Sequence, residues 1–187
     1  MHDAGFQVFN GSPRQFLIFD DVDRAYFGRG AKPAPVRRSL AKLARVRAKI
    51  AAADAAFAGD PLAQEELLYA ADASLHALRK ALAGLAYVAW REEPASESAA
   101  DRRRLAREMT QLADAERALG QRLRELWHAR SQESNLAWTL RRLERSAASL
   151  RRGARALASG RAPAPPPPHE GFAPGPVIRA LRDALRD

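Results

Sequence analysis

The sequence predicts an all-α fold, an antiparallel up-down helical bundle of three to four long helices. The first observation is composition: hydrophobic residues make up 47% of the 187 residues and aromatic residues only 7%, with Ala, Leu and Arg abundant. The second is that leucines and alanines recur in alternating steps of three and four between residues 68 and 157, the period of helices packed at shallow angles. The third is that only short Gly, Pro or Ser segments separate these repeats, and short turns between long helices make neighbours antiparallel.

The composition divides the chain into three parts. Residues 1–35 are irregular, rich in Gly and Pro, and hold six of the 13 Phe, Tyr and Trp side chains, so we expect them to pack on the helices or on a neighbouring domain. Residues 36–160 form the predicted bundle. Residues 161–187 begin as a stiff Pro-rich linker and end in a short apolar-faced helix that is too short to be stable alone.

The first two helices are separated by a clear stop and start signal. The first is predicted from Val36 to about Ala58, because its apolar residues fall at helical spacing. The second runs from Pro61 to about Arg91, with Asp60 as its N-cap and proline at its first position.

The last two helices keep the same seven-residue repeat. The third is predicted from about Ser98 to His128. The fourth is predicted from about Asn135 to Leu157, after a polar linker that offers Ser and Asn caps.

Three positions inside the predicted helices carry particular expectations. Glu116 falls on an apolar position of the third repeat, and we expect it to tilt to the edge with Ala115 inward, because an unpaired buried charge is costly. Gly84 lies within the second helix, where we expect a neighbouring helix to approach closely. His76 lies between leucines and is expected to be a packed or half-exposed structural histidine.

The residue types argue against a catalytic site within this chain. It has no Cys, which excludes disulfides, thiol nucleophiles and Cys-ligated metal sites. It also lacks a glycine-flanked serine, a phosphate loop and a zinc-type histidine pair. We therefore expect no catalytic residue, no metal and no cofactor. The N-terminus has no secretory pattern and no apolar run approaches the ~20 residues of a membrane helix, so the default expectation is a cytoplasmic protein without membrane contact.

Charge is unevenly distributed along the chain. The net charge is +9, and the stretch from Asp101 to Arg161 alone holds 15 Arg against 7 acidic residues. Because arginine binds phosphate bidentately, these clusters are candidate polyanion-binding residues; a solvated helix face is the competing interpretation. The residues are Arg102, Arg103, Arg104, Arg141, Arg142, Arg151 and Arg152.

One stretch resembles a known family. The end of the third helix, Leu126 to Arg130, followed by a polar linker and by Asn135-Leu136, is similar to the C-terminal helical region of bacterial glycoside hydrolase family 20-like proteins, which are related to β-N-acetylhexosaminidases. The resemblance covers roughly residues 10–157 and implies a helical domain attached to a catalytic barrel that this chain lacks. Beside it, the residues themselves indicate structural roles. Trp127 would plug the end of the bundle, Arg130 would bond the last carbonyls and Asn135 would cap the fourth helix.

Two functions from different classes therefore stay open. The first is a non-catalytic accessory or interaction domain that braces a barrel or self-associates, as the resemblance implies. The alternative is a basic helical module that binds nucleic acid or polyphosphate. A fainter similarity of LHALRKALAGLAY to the basic helices of polyphosphate-binding CHAD domains points the same way as this alternative.

Overall fold

The computed structural model describes Val22, residues 32–130 and residues 136–164. Within these residues the protein is all-α, which confirms the predicted fold class. Its helices are α1 (Pro33–Ala51), α2 (Pro61–Glu92), α3 (Ala99–Arg130) and α4 (Leu136–Ser159), and short 3₁₀ turns lie at Asp54–Phe57 and Pro94–Ser96. The remainder of the predicted N-terminal segment and residues 165–187, which hold most of the predicted Pro-rich linker and the C-terminal helix, lie outside the described residues.

The starts of α2 and α3 follow from local capping chemistry. The Asp60 carboxylate accepts a hydrogen bond from the backbone N–H of Ala63 at 3.1 Å, as the sequence predicts. At α3 the Ser98 hydroxyl accepts from the backbone N–H of Asp101 at 3.1 Å and donates to the Asp101 carboxylate at 2.7 Å. Both caps satisfy N–H groups that have no partner within the helix.

The first helix ends earlier than predicted. It stops at Ala51 instead of continuing to Ala58, and a 3₁₀ turn follows. The Ile50 carbonyl accepts from the backbone N–H of Ala53 at 3.2 Å, and the Gln64 side-chain amide also donates to this carbonyl at 2.9 Å and to the Asp54 carboxylate at 2.8 Å. A residue of α2 thus satisfies a terminal carbonyl of α1, which a purely local reading of the Ala-rich segment does not anticipate.

The core lies between α2, α3 and α4, which pack as a helical bundle. Its largest fully buried apolar side chains are Tyr87 and Trp90 from α2, Met109 from α3, and Leu150 and Leu157 from α4. Close packing of such side chains is the main source of stability for a domain of this size.

Two residues outside the helices also join this core. Val22, from the N-terminal segment, is only 3% exposed and belongs to the same apolar cluster. Ala162, just after α4, packs against the cluster as a partly buried residue. Residues that precede α1 and follow α4 in the sequence therefore both contribute to the core.

Helix α1 packs on α2 and contributes a shallower interface. None of its residues is buried, and its half-buried positions are Val36, Leu40, Leu43, Arg47 and Ile50. An arginine thus stands on the seven-residue stripe where an apolar residue is usual, and Val46 beside it is 43% exposed. Arg47 therefore places a positive charge at the interface between α1 and the rest of the bundle.

Close helix approach occurs in α4 rather than at the predicted glycine of α2. Among the described residues, no atom lies within 4 Å of where a Cβ on Gly84 would stand, so the expectation for Gly84 is wrong. A Cβ on Gly153 would instead overlap the terminal methyl of Met109 and lie 3.4 Å from the Tyr87 ring. Met109 and Tyr87 can pack this closely against α4 because Gly153 has no side chain.

A search of the described residues for membrane-spanning helices finds none with the required combination of length and hydropathy.

Candidate anion-binding groove

An open groove of about 970 Å³ runs along the surface where α1, α2 and α3 meet. Its apolar lining includes Leu75 from α2 and Leu112 and Leu119 from α3, with small alanines from α1 and α3. Five arginines from three helices stand around this apolar surface: Arg47, Arg79, Arg104, Arg107 and Arg122. We call this region the arginine groove.

The arginine groove carries a net positive charge. Two carboxylates, Asp72 and Glu108, line it with the five arginines, which leaves a charge of +3 when His76 is neutral. Arg79, Arg104 and Arg107 are exposed, so their guanidinium groups are accessible from solvent. Converging guanidinium groups in a concave surface attract anions, above all carboxylates and phosphates, whose geometry matches the guanidinium fork.

Asp72 of α2 links the three helices that form the groove through side-chain hydrogen bonds. Its carboxylate accepts from Arg47 Nε at 2.7 Å, on α1, and from Arg122 Nη1 at 2.9 Å, on α3. Arg122 also donates to the backbone carbonyl of Glu65 at 3.3 Å. Burial raises the pKa of Asp72, but the hydrogen bonds and charges of Arg47 and Arg122 outweigh it and hold that pKa below its ordinary value.

Behind the groove lies a buried polar layer that joins three helices. Lys80 of α2 donates to Glu116 of α3 at 3.1 Å and to the Ser146 hydroxyl of α4 at 2.7 Å. The Lys80 and Glu116 side chains are 2% and 0% exposed, so the pair is screened little by solvent. This layer links α2 to α3 and to α4 by side-chain hydrogen bonds.

The burial of Glu116 corrects the sequence-based expectation. Ala115 is the exposed residue and Glu116 is the buried one, the reverse of the prediction. The reason is that Lys80, on the neighbouring helix α2 and 3.1 Å from Glu116, supplies a counter-charge that a single-helix pattern does not reveal.

His76 lies between the arginine groove and the buried layer. It is 4% exposed, as expected for a packed histidine, and it lines the groove. Its Nε2 lies 3.8 Å from a Glu116 oxygen, beyond hydrogen-bond distance, and has no hydrogen-bond partner within the described part of the chain. The second Glu116 oxygen, Oε2, likewise has no partner there.

The structure separates the arginines that the sequence singled out. Arg104 lines the groove and also contacts Asp101 at 3.1 Å, whereas Arg102 donates to the Glu97 carbonyl at 2.8 Å. Arg103 is exposed and is not among the residues that line the groove.

The arginines of α4 are placed apart from the groove lining. Arg142 lies over the Trp138 ring, 4.6 Å from its centroid, and Arg151 contacts Asp114 at 2.6 Å. Arg141 and Arg152 are exposed.

The residues of the family-like stretch are described only in part. Leu136, the first residue of α4, is 4% exposed, and Trp127 is half-buried near the end of α3. Arg130 is the last residue of α3, but its side chain lies outside the described set, as does Asn135. The capping roles predicted for Arg130 and Asn135 therefore stay predictions.

Only one of the five groove arginines, Arg104, belongs to the arginine clusters that the sequence suggested. Arg47 lies on α1 and Arg79 on α2, and only packing brings them to the same groove as Arg107 and Arg122 of α3. A partial signal existed in α3, where groove residues recur at steps of three, four and seven. No comparable signal in one helix identifies its partners on the other two.

Comparison with protein-family models, curated proteins and solved structures finds no match to this chain. The resemblance to family 20-like glycoside hydrolases therefore stays a prediction. Among the described residues, no group of three or more His, Asp or Glu side chains is arranged to hold a metal ion.

Proposed function

We propose that this protein is a non-catalytic helical binding domain whose arginine groove takes a polyanion. The observation that carries the proposal is that five arginines from three helices line one concave surface, whose lining residues sum to a net charge of +3. Such a surface attracts a chain of anions and grips each group through paired N–H donors.

The lining of the groove favours polyphosphate over nucleic acid. None of the described residues that line it is Phe, Tyr or Trp, and the ring of His76 is only 4% exposed. Proteins that hold single-stranded nucleic acid commonly stack bases on aromatic side chains, in addition to contacting phosphates. A groove with alkyl walls and guanidinium groups suits a ligand whose recognition depends on phosphate alone.

The helix arrangement that forms the groove is proposed as an antiparallel up-down bundle. From α2 to α3, Asp72 contacts Arg122 and Lys80 contacts Glu116, so the α3 numbers fall as the α2 numbers rise. From α3 to α4, Asp114 contacts Arg151, while a Cβ on Gly120 would contact Leu140. Opposed numbering of this kind supports alternating helix directions.

A titration with inorganic polyphosphate tests the function. We expect isothermal titration calorimetry to show binding that weakens steeply as salt rises, because association releases condensed counterions. The double variant Arg79→Gln/Arg107→Gln should weaken binding by about thirtyfold, if each arginine contributes about 1 kcal/mol.

A matched control uses two other arginines of α3. Arg103 and Arg117 are exposed and do not line the groove, so Arg103→Gln/Arg117→Gln removes the same charge elsewhere. It should change the affinity by about threefold or less, through net charge alone. Equal losses in the two double variants, or tighter binding of a single-stranded oligonucleotide than of polyphosphate, would contradict the proposal.

A second candidate function is the accessory domain implied by the resemblance to family 20-like glycoside hydrolases. The burial of Val22 in the core fits this role, since residue 22 falls within residues 10–157, over which the resemblance extends. An in-frame barrel-coding stretch upstream of Met1 would support this role, and analytical ultracentrifugation would test self-association. Turnover of a chromogenic N-acetylglucosaminide by this chain alone would contradict a non-catalytic role.

A further inference from the structure

The anion-binding centre of the arginine groove is already occupied by a carboxylate of the protein itself. Arg47 approaches Asp72 with Nε at 2.7 Å from Oδ1 and Nη2 at 3.4 Å from Oδ2, and Arg122 adds Nη1 at 2.9 Å from Oδ2. Two guanidinium groups from different helices thus share one negative charge. The centre keeps an excess positive charge that a single carboxylate does not neutralise.

We propose that Asp72 is an internal competitor for the ligand, and that a phosphate group of the bound polyanion replaces its carboxylate between Arg47 and Arg122. This inference rests on the proposed function, because it names the subsite at which the polyanion is anchored. It assigns Asp72 the role of setting affinity rather than only joining helices.

The exposure of the three side chains permits the exchange. Arg47, Arg122 and Asp72 are 40%, 34% and 26% exposed, whereas Lys80 and Glu116 behind them are 2% and 0% exposed. Ion pairs at partly exposed positions are weak, with a typical strength of about 0–1 kcal/mol, so little is lost when Asp72 releases its partners. The buried pair, by contrast, is closed to a ligand from the groove.

The chemistry of phosphate favours the exchange. A terminal phosphate of a polyphosphate chain offers three acceptor oxygens and up to two negative charges, where Asp72 offers two oxygens and one charge. Guanidinium groups bind phosphate and carboxylate with the same forked geometry, so Arg47 and Arg122 need no rearrangement to change partner. Arg79, Arg104 and Arg107 are exposed along the same groove for the neighbouring phosphates of a chain.

The experiment compares two variants that each remove one negative charge. Asp72→Asn removes the competitor, while Asp114→Asn removes a 63% exposed carboxylate that contacts Arg151 and does not line the groove. Tripolyphosphate is titrated into the wild type and both variants by calorimetry at one salt concentration. Circular dichroism melting verifies that each variant is folded, and Asp72→Ser repeats the test with a smaller side chain.

We expect Asp72→Asn to bind tripolyphosphate about fivefold more tightly than the wild type, the factor that corresponds to the loss of one exposed ion pair. Asp114→Asn should change the affinity by less than about twofold, through long-range charge alone. Arg47→Gln and Arg122→Gln should each weaken binding, since they remove the donors that the phosphate takes over.

The possible results separate the inference from the function on which it rests. If the wild type binds and Asp72→Asn gives no more than the effect of Asp114→Asn, the competitor role is overturned while the polyanion function stands. If Asp72→Asn weakens binding, Asp72 supports the groove and the role is again overturned. If neither the wild type nor Asp72→Asn binds tripolyphosphate or polyphosphate at low salt, both proposals fail.

Discussion

Removing one member of the buried Lys80–Glu116 pair should destabilise the protein far more than removing both. Glu116→Leu leaves the Lys80 ammonium group 2% exposed and without its carboxylate, which stood at 3.1 Å. An uncompensated buried charge costs about 3–5 kcal/mol, a large part of the ~5–15 kcal/mol by which domains are stable. For a chain of this size, a change of that magnitude lowers the melting temperature by about 6–20 °C.

The double variant Lys80→Met/Glu116→Leu should recover most of the lost stability. Replacing a buried ion pair with apolar side chains of similar volume is often neutral or stabilising, because the desolvation of both charges is avoided. Urea unfolding followed by circular dichroism, applied to the wild type, both single variants and the double variant, gives the coupling free energy of the pair. We expect a coupling of at least about 2 kcal/mol.

The exposed pair Asp114–Arg151 provides the control. Its N–O distance of 2.6 Å is shorter than that of the buried pair, but Asp114 is 63% exposed. The same cycle should therefore give only about 0–1 kcal/mol, because solvent screens the interaction. If the losses of the two buried single variants simply add in the double variant, the argument from burial is refuted.

Two further predictions concern packing and acid stability. Gly120→Ala should stabilise the protein by about 1 kcal/mol, because alanine favours the helix and a Cβ there would lie at an ordinary 3.7 Å from the Leu140 and Leu143 side chains. Gly153→Ala should destabilise it by about 1–3 kcal/mol, because the added methyl group would overlap Met109. Thermal melts of both variants check the contrast, and equal effects would contradict it. Because the folded-state pKa of Asp72 lies below its ordinary value of 3.8, its contribution to stability is present above that value and is lost as the pH falls through the folded pKa. Asp72→Asn should thus lower the urea midpoint at pH 7, and this effect should shrink as the pH falls below 3.8; an effect that is independent of pH would oppose this reasoning.

Helix positions in this protein were predictable because they depend on near neighbours in sequence. Asp60 and Pro61 start α2 through a hydrogen bond to a residue three positions on, and Ser98 starts α3 in the same way. The end of α1 was misplaced by seven residues, and there the Ile50 carbonyl accepts a hydrogen bond from Gln64 of the next helix, a contact that the pattern of α1 alone does not contain. Sequence patterns within one helix do not predict a hydrogen bond between its terminal backbone carbonyl and a residue of another helix.

The candidate site was predictable only in its chemistry. The excess of arginine in the second half of the chain indicated a polyanion as one class of partner. The groove, however, takes Arg47 and Arg79 from the first half and only Arg104 from the clusters that the sequence suggested. Arginines that lie adjacent in sequence, such as Arg102 to Arg104, point in different directions around a helix with 3.6 residues per turn.

The sequence alone determined that this protein is helical and where its core helices begin, since caps and seven-residue repeats are properties of one segment at a time. Only the tertiary structure decided that Glu116 is buried against Lys80 and that Asp72 holds Arg47 and Arg122 together. The physical reason is that the free energy of a charged group depends on where its counter-charge lies in space. For these residues, the counter-charges are 25 to 50 positions away along the chain.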